Sequence, residues 1–145
     1  MTPSAAPLVA HASAAALDGS GVLILGASGT GKSRLALGLL AHGFHLVADD
    51  RTCLGRRGAD LIAWAPASIL GRIEARGVGI LNATPAPPTR IRLVVDLDRD
   101  EPDRLPPHRT WSARGWTGPL VHGRGNPDLL WAILQYLKAG RADRP

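Results

Sequence analysis

Cysteine and long apolar runs are both scarce in this sequence. A single cysteine, Cys53, occurs in 145 residues, so an internal disulfide framework is excluded and a reducing compartment is favoured. No apolar run approaches the ~20 residues that a membrane span needs. The first residues also lack the basic segment that opens a signal peptide. We therefore expect a cytoplasmic protein without a membrane partner, in which Cys53 is a buried, inert thiol.

Lysine and aromatic residues are also rare. Lysine occurs only at Lys32 and Lys138, so the net charge of +5 is carried mainly by arginine. The arginines are scattered, and no aromatic residues alternate with them, which argues against a nucleic-acid partner. The length fits one domain spanning residues 1–145, and the apolar content of 45% is typical of a globular protein. Residues 1–9 and 141–145 are expected to be flexible.

The most informative stretch is the sequence GASGTGKS, which matches G-x-x-x-x-G-K-[ST] at every fixed position. A strand pattern at 22–25 precedes it and a helical pattern at 34–41 follows, which is the context that a phosphate-binding loop (P-loop) requires. Its backbone N–H groups can surround a phosphate at the positive end of the helix. Lys32 can reach the outer phosphates, and the Ser33 hydroxyl can ligate Mg²⁺. The residues predicted to bind nucleotide are Gly26, Ala27, Ser28, Gly29, Thr30, Gly31, Lys32 and Ser33.

Two adjacent carboxylates, Asp49 and Asp50, follow the strand pattern at 44–48. In an open α/β sheet, the carboxyl ends of strands converge on the ligand crevice. One carboxylate can therefore help to hold Mg²⁺ while the other accepts a proton from an attacking hydroxyl. A solvated Asp-Asp turn is the competing interpretation. Asp96, which follows the apolar strand pattern starting at 91, is the alternative position for the Mg²⁺ ligand.

The remaining sequence predicts an α/β fold. A first strand is expected at 11–18, a hairpin at 52–64, an irregular segment at 69–83 and a proline-rich loop at 84–89. A last helix is expected to begin with Asn126 as N-cap and Pro127 as its first residue, and to end at Gly140. The predicted architecture is a P-loop-containing sheet of mixed strands with one helix after the P-loop and one at the C-terminus.

Four segments together resemble the catalytic domain of HPr kinase/phosphorylase, the bacterial family that phosphorylates a serine of the phosphocarrier protein HPr. They are His11, GASGTGKS at 26–33, LVADDR at 46–51 and IEARGVGILN at 73–82. The last segment is the most specific, and its signature residues are Glu74, Arg76, Gly77, Gly79, Ile80 and Asn82. The likeness runs from His11 to about residue 137. It implies a fold like that of HPr kinase and PEP carboxykinase, in the short single-domain form of proteobacteria.

The resemblance also implies roles for individual residues. Asp50 matches the proton acceptor with Asp49 beside it, and His11 and Lys32 match active-site positions. Glu74 is similar to the second protein ligand for Mg²⁺, after Ser33.

Arg104 matches an arginine linked to dephosphorylation. His122 stands where the family carries an arginine, and this departure concerns the reverse, phosphorylase activity. The implied cofactors are ATP and Mg²⁺, and the implied partners are HPr and further copies in a hexamer.

Two other functions stay open beside the implied protein serine kinase. One is a small-molecule kinase that uses the same P-loop chemistry. The other is a non-catalytic module that senses ATP. All three bind ATP, so they differ in whether a phosphoryl group is transferred and in what receives it.

Overall fold

A mixed β-sheet dominates the computed structural model, which describes residues 7–144. The strands are β1 (Leu8–Ala10), β2 (Ala12–Leu17), β3 (Ser20–Leu25), β4 (His45–Ala48), β5 (Thr52–Arg57), β6 (Asp60–Trp64), β7 (Arg72–Ala75), β8 (Gly79–Asn82), β9 (Thr89–Asp96), β10 (Arg109–Ala113) and β11 (Trp116–His122). The helices are α1 (Lys32–Leu40), α2 (Leu129–Ala139) and a short 3-10 turn at Ala67–Ile69. Neither helix of the described part is long and apolar enough to cross a membrane.

The main sheet has nine strands in the described residues, and β9 lies at its centre. Seven of them follow the order β1-β5-β6-β9-β3-β2-β4, and β11 joins β9 with β10 outside it. The pairs β3–β9 and β9–β11 are parallel, whereas the other pairs of this sheet are antiparallel. Strands β7 and β8 form a separate antiparallel pair. The predicted fold class, a mixed sheet with helices after the P-loop and at the C-terminus, is confirmed.

Alternating side chains of the central strands supply the core on both faces of the sheet. On β3, Val22 and Ile24 face α1 and α2, where they meet Leu39 and Ile133. Leu23 points to the opposite face and joins a second cluster, which contains residues of β5, β6 and β9. All of these side chains are fully or almost fully buried. The period of two along β3 therefore fixes which face carries the helices.

A tight turn joins β2 to the P-loop strand β3. Leu17 pairs with Ser20, and the two residues between them, Asp18 and Gly19, have φ angles of 49° and 79°. A two-residue loop with both φ angles positive matches the twist of a hairpin and favours Asp-Gly. The turn fixes the register of β2 on β3, and this register carries over to the site residues at the other end of both strands.

Several elements differ from their predicted form. Helix α2 begins at Leu129 with Asp128 as N-cap, and Asn126 instead accepts a hydrogen bond from the backbone N–H of Asp128. The segment predicted to be irregular contains β7 and β8, and β10 and β11 had no counterpart among the predicted strands.

Strand β1 pairs with β5 and includes part of the segment expected to be flexible. Residues 1–6 and 145 of the segments expected to be flexible lie outside the described residues. Cys53 is buried as predicted, and its burial raises the pKa of the thiol.

Candidate active site

The P-loop connects the end of β3 to the start of α1. Its glycines have positive φ angles, 157° at Gly26, 85° at Gly29 and 100° at Gly31. The carbonyl oxygen of Ala27 accepts hydrogen bonds from Thr30 Oγ1 at 2.8 Å and from Lys32 Nζ at 3.1 Å. Helix α1 has no side-chain cap at its N-terminus. Its first N–H groups are therefore available to an anion.

A cavity of about 610 Å³ opens beside this loop. This volume lies within the range of small-molecule sites in proteins. Its lining combines P-loop residues 28–33 with one carboxylate from the end of β4 and part of the β7–β8 hairpin. The lining residues outside the P-loop are Arg34, Leu37, Asp50, Glu74, Ala75 and Arg76. Three segments that are far apart in the sequence thus enclose one space.

Asp49 connects three elements around the P-loop helix. Its Oδ1 accepts hydrogen bonds from Ser33 Oγ at 2.6 Å and from Ser13 Oγ at 3.0 Å. Its Oδ2 accepts one from the backbone N–H of Glu74 at 2.9 Å. The carboxylate therefore holds α1, β2 and β7 together, and it faces the hydroxyl that a P-loop offers to Mg²⁺.

Asp50 is turned toward the cavity and is exposed. Its φ angle of 66° is uncommon for a residue with a side chain. The conformation is held by hydrogen bonds from Asp50 N–H to Ser13 Oγ and from Ala12 N–H to the Asp50 carbonyl. Asp50 Oδ1 lies 2.8 Å from His11 Nε2 and 3.6 Å from Lys32 Nζ. With 57% of its side chain exposed, this carboxylate can be reached by an acceptor from solution.

Ser13 is a site residue that the sequence analysis missed. It is fully buried, and its hydroxyl donates to Asp49 while it accepts from the Asp50 backbone. The two adjacent carboxylates are therefore set in different directions by one hydroxyl. The sequence offered one weak indication of this role, which is that Ser13 is the lone polar residue in the strand sequence ASAAAL.

The signature segment forms the β7–β8 hairpin, and only its first part lines the cavity. Glu74 and Arg76 belong to the lining. Gly77 and Gly79, with φ angles of 80° and 135°, make the tight turn between the strands. Asn82 pairs with Arg72 at the other end of the hairpin. The glycines and Asn82 thus shape the hairpin that presents Glu74 and Arg76.

The cavity contains two arginines that balance its carboxylates. Arg34 follows the P-loop serine, and Arg76 comes from the hairpin. Neither forms an ion pair with a carboxylate in residues 7–144. Both guanidinium groups are therefore available to a polyphosphate.

Asp96 and Arg104 lie outside this cavity. Asp96 Oδ1 accepts a hydrogen bond from the backbone N–H of Asp98 at 2.8 Å, and its Oδ2 lies 3.5 Å from Arg99 Nε. Asp96 thus closes a local turn, and the carboxylate beside Ser33 is Asp49. Arg104 is exposed and lines a different depression, of about 750 Å³, next to α2. The structure does not bring Arg104 together with the P-loop.

Oxygen donors for a divalent cation are present beside the P-loop. Residues 7–144 contain no group of three or more His, Cys, Asp or Glu side chains that could hold a metal ion. Mg²⁺ does not require such a cage, because it commonly binds one or two protein oxygens together with water and substrate phosphates. Ser33 Oγ and the Asp49 carboxylate, with Glu74 at the cavity wall, fit that donor set.

Comparison with known proteins identifies the family. The sequence model of the HPr Serine kinase C-terminal domain matches residues 4–106. The HPr kinase/phosphorylase of Aromatoleum aromaticum is 42% identical over 104 residues, which are 63% of this chain and 33% of that protein. The HPr kinase/phosphorylase of Geobacillus thermodenitrificans is 43% identical over 94 residues, which are 59% of this chain and 30% of that protein. These matches thus span about a third of each curated relative.

A solved structure agrees with this assignment. The structure of the Hpr(Ser) kinase/phosphatase from Coxiella burnetii superposes with a TM-score of 0.76 at 26% sequence identity. The alignment covers 90% of this chain and 94% of that one. Because the family model covers most of the chain and the fold agrees, the chain belongs to the HPr serine kinase C-terminal domain family.

Proposed function

We propose that this protein is an ATP- and Mg²⁺-dependent protein kinase that phosphorylates a serine of HPr. One observation carries the proposal. The exposed Asp50 carboxylate lies beside both His11 Nε2 and the P-loop lysine, while Asp49 holds the P-loop serine. A proton acceptor and a phosphate-binding loop therefore share one cavity, and the curated relatives are named for this activity.

The nucleotide would bind with its phosphates in the P-loop. The N–H groups at the start of α1 and the Lys32 ammonium stabilise the phosphate charge. Lys32 Nζ, which lies 3.1 Å from the Ala27 carbonyl oxygen, would also contact the outer phosphates. When bound, Mg²⁺ adds charge neutralisation, and Ser33 and Asp49 are the residues that would hold it, with Glu74 as a further ligand.

The transfer itself requires positioning more than covalent chemistry. The serine oxygen of the acceptor forms a bond to the γ-phosphorus, and the bond from that phosphorus to the oxygen bridging to the β-phosphate breaks. The products are a phosphoserine and ADP. The Asp50 carboxylate takes the serine proton, and His11 orients that carboxylate through its Nε2 contact. Arg76 lies at the cavity wall, where it can stabilise charge on the transferred group.

The exposure of Asp50 favours a protein acceptor over a metabolite. Kinases of small molecules enclose their substrates, and closure excludes water. Here the proton acceptor is 57% exposed, so a serine carried on the surface of a folded protein can reach it. The proposal covers the kinase direction, since Arg104 lines a separate depression.

Intact mass spectrometry tests the proposal directly. The protein is incubated with ATP, Mg²⁺ and purified HPr, and the mass of HPr should rise by about 80 Da, the mass of one phosphoryl group. The Lys32→Ala variant is the control and should leave HPr unmodified. If ATP binds but neither HPr nor any metabolite of a parallel panel gains phosphate, the non-catalytic sensing function is correct. If a metabolite gains phosphate and HPr does not, the protein is a small-molecule kinase.

A further inference from the structure

The segment that follows β9 runs along the first half of the P-loop. The backbone N–H of Leu97 donates to the Leu25 carbonyl at 2.9 Å, which extends the pairing of β9 with β3. One residue further, the backbone N–H of Ala27 donates to Asp98 Oδ1 at 3.0 Å. Between these two contacts, a Cβ atom on Gly26 would lie 3.3 Å from Leu97 Cβ. The segment therefore bonds to the last residue of β3 and to the second residue of the loop, and it passes close to Gly26 between them.

Asp98 is itself held in place by neighbouring groups. Its backbone N–H donates to Asp96 Oδ1 at 2.8 Å. The Asp96 carbonyl accepts from Gly123 N–H at 2.9 Å, and the Arg99 carbonyl accepts from Arg124 N–H at 3.0 Å. The segment thus lies between the P-loop and the connection from β11 to α2. Because these hydrogen bonds fix the backbone around Asp98, its side chain can hold the P-loop beside it.

The contact matters because Ala27 is held from both sides. The Ala27 carbonyl accepts from Lys32 Nζ and from Thr30. An ammonium group has three donors, so Lys32 can share them between this carbonyl and a bound phosphate. The Asp98 hydrogen bond on the N–H side does not depend on how Lys32 shares them.

We propose that Asp98 is a positioning residue that holds the first half of the P-loop in its nucleotide-binding shape through the Ala27 N–H. This inference rests on the proposed function, since it assumes that the loop binds ATP. A loop ordered before binding does not lose that conformational freedom on binding, so affinity increases. The acceptor oxygen provides this effect, whereas the negative charge of Asp98 opposes the phosphates. The two contributions can be separated by substitution.

The experiment compares ATP affinity, by isothermal titration calorimetry, for the wild type, Asp98→Ala, Asp98→Asn and Asp100→Ala. Asp98→Ala should weaken ATP binding about three- to tenfold, the effect of one lost hydrogen bond. Asp98→Asn keeps an acceptor oxygen without the charge, so it should bind ATP at least as tightly as the wild type. Asp100→Ala is the matched control, because Asp100 pairs with Arg124 and does not touch the loop. In HPr phosphorylation, Asp98→Ala should raise KM for ATP and leave kcat unchanged.

Three results would overturn the inference. Unchanged ATP affinity in Asp98→Ala shows that the contact does not position the loop. If Asp98→Asn is as weak as Asp98→Ala, the charge and not the acceptor oxygen matters. If Asp100→Ala is equally weak, the effect comes from the segment as a whole. A wild type that binds no ATP would refute the proposed function and this inference together, whereas the first three results refute the inference alone.

Discussion

The same substitution, aspartate to asparagine, should change the stability of the fold at Asp49 but not at its neighbour Asp50. We expect Asp49→Asn to destabilise the fold and Asp50→Asn to leave its stability nearly unchanged. Asp49 is partly buried and accepts three hydrogen bonds, from Ser13, Ser33 and the Glu74 backbone. The Asp50 side chain is mostly exposed, and its ion-pair partners within residues 7–144 are His11 and Lys32.

The magnitude follows from the geometry of the two Asp49 oxygens. An asparagine can keep one oxygen, which accepts from Ser13 and Ser33 as Oδ1 does now. Its amide NH₂ then takes the place of Oδ2 and faces the Glu74 N–H, so that a donor meets a donor. The hydrogen bond from the Glu74 N–H to the Asp49 carboxylate is charge-assisted, and its loss costs about 1.5–3 kcal/mol in the free energy of unfolding. For a domain of this size, the melting temperature should fall by about 3–10 °C.

Thermal unfolding followed by circular dichroism measures both variants under the same conditions. Asp50→Asn is the control, because the His11–Asp50 pair is exposed and contributes at most about 1 kcal/mol, and the asparagine oxygen can still accept from the buried Lys32. The reasoning is refuted if Asp49→Asn has the same melting temperature as the wild type. It is also refuted if Asp50→Asn loses as much stability as Asp49→Asn, since the asymmetry between the two residues would then be absent.

Two further predictions concern the P-loop and the charged segment before β10. In Gly26→Ala, the new Cβ would collide with Thr30 Oγ1, and the φ angle of 157° is one that residues with a side chain rarely adopt. ATP binding, measured by calorimetry, should therefore be lost. Gly19→Ala is the control and should retain ATP binding, because a Cβ at Gly19 has nothing within 4 Å. Hydrogen bonds from Arg109, followed by one from the Asp103 backbone N–H and by the charge of Arg109, lower the pKa of Glu101. The ionised pair therefore stabilises the fold above about pH 4, the range of an unfolded glutamate, and this contribution disappears as the pH falls through the lowered pKa. At pH 7, the melting temperature of Glu101→Gln should be below that of the wild type, and in acid the two melting temperatures should converge. A difference in melting temperature that persists in acid would contradict a stabilising role for the ionised Glu101–Arg109 pair.

Local patterns in the sequence were enough to predict the centre of the site. The P-loop, its flanking strand and helix, and the position of Asp49 and Asp50 at a strand end all follow from short-range chemistry. The structure places Asp50 beside Lys32 and beside His11, which the family resemblance, and no local pattern, implied as an active-site residue. The catalytic and metal-binding roles of these residues, the hexamer and the cytoplasmic location remain predictions.

Features that depend on distant contacts could not be predicted. Strands β10 and β11 are partly exposed, and Pro119 within β11 argued against a strand. Their turn, Arg114–Gly115, has positive φ at both residues and was the only local signal. The contact of Asp98 with Ala27 spans 71 positions and depends on the parallel pairing of β9 with β3. Helix α2 begins later than predicted, because the Asn126 side chain accepts a hydrogen bond from the Asp128 N–H and forms a turn before the helix.

The central claim is that Asp50 takes the proton of the acceptor serine, and steady-state kinetics of Asp50→Asn test it most directly. HPr phosphorylation is measured at saturating ATP, and ATP affinity is measured separately by calorimetry. We expect kcat to fall by roughly 10²–10⁴-fold, since an amide cannot accept the proton, while ATP affinity stays close to that of the wild type. A variant that phosphorylates HPr at nearly the wild-type rate would contradict the account.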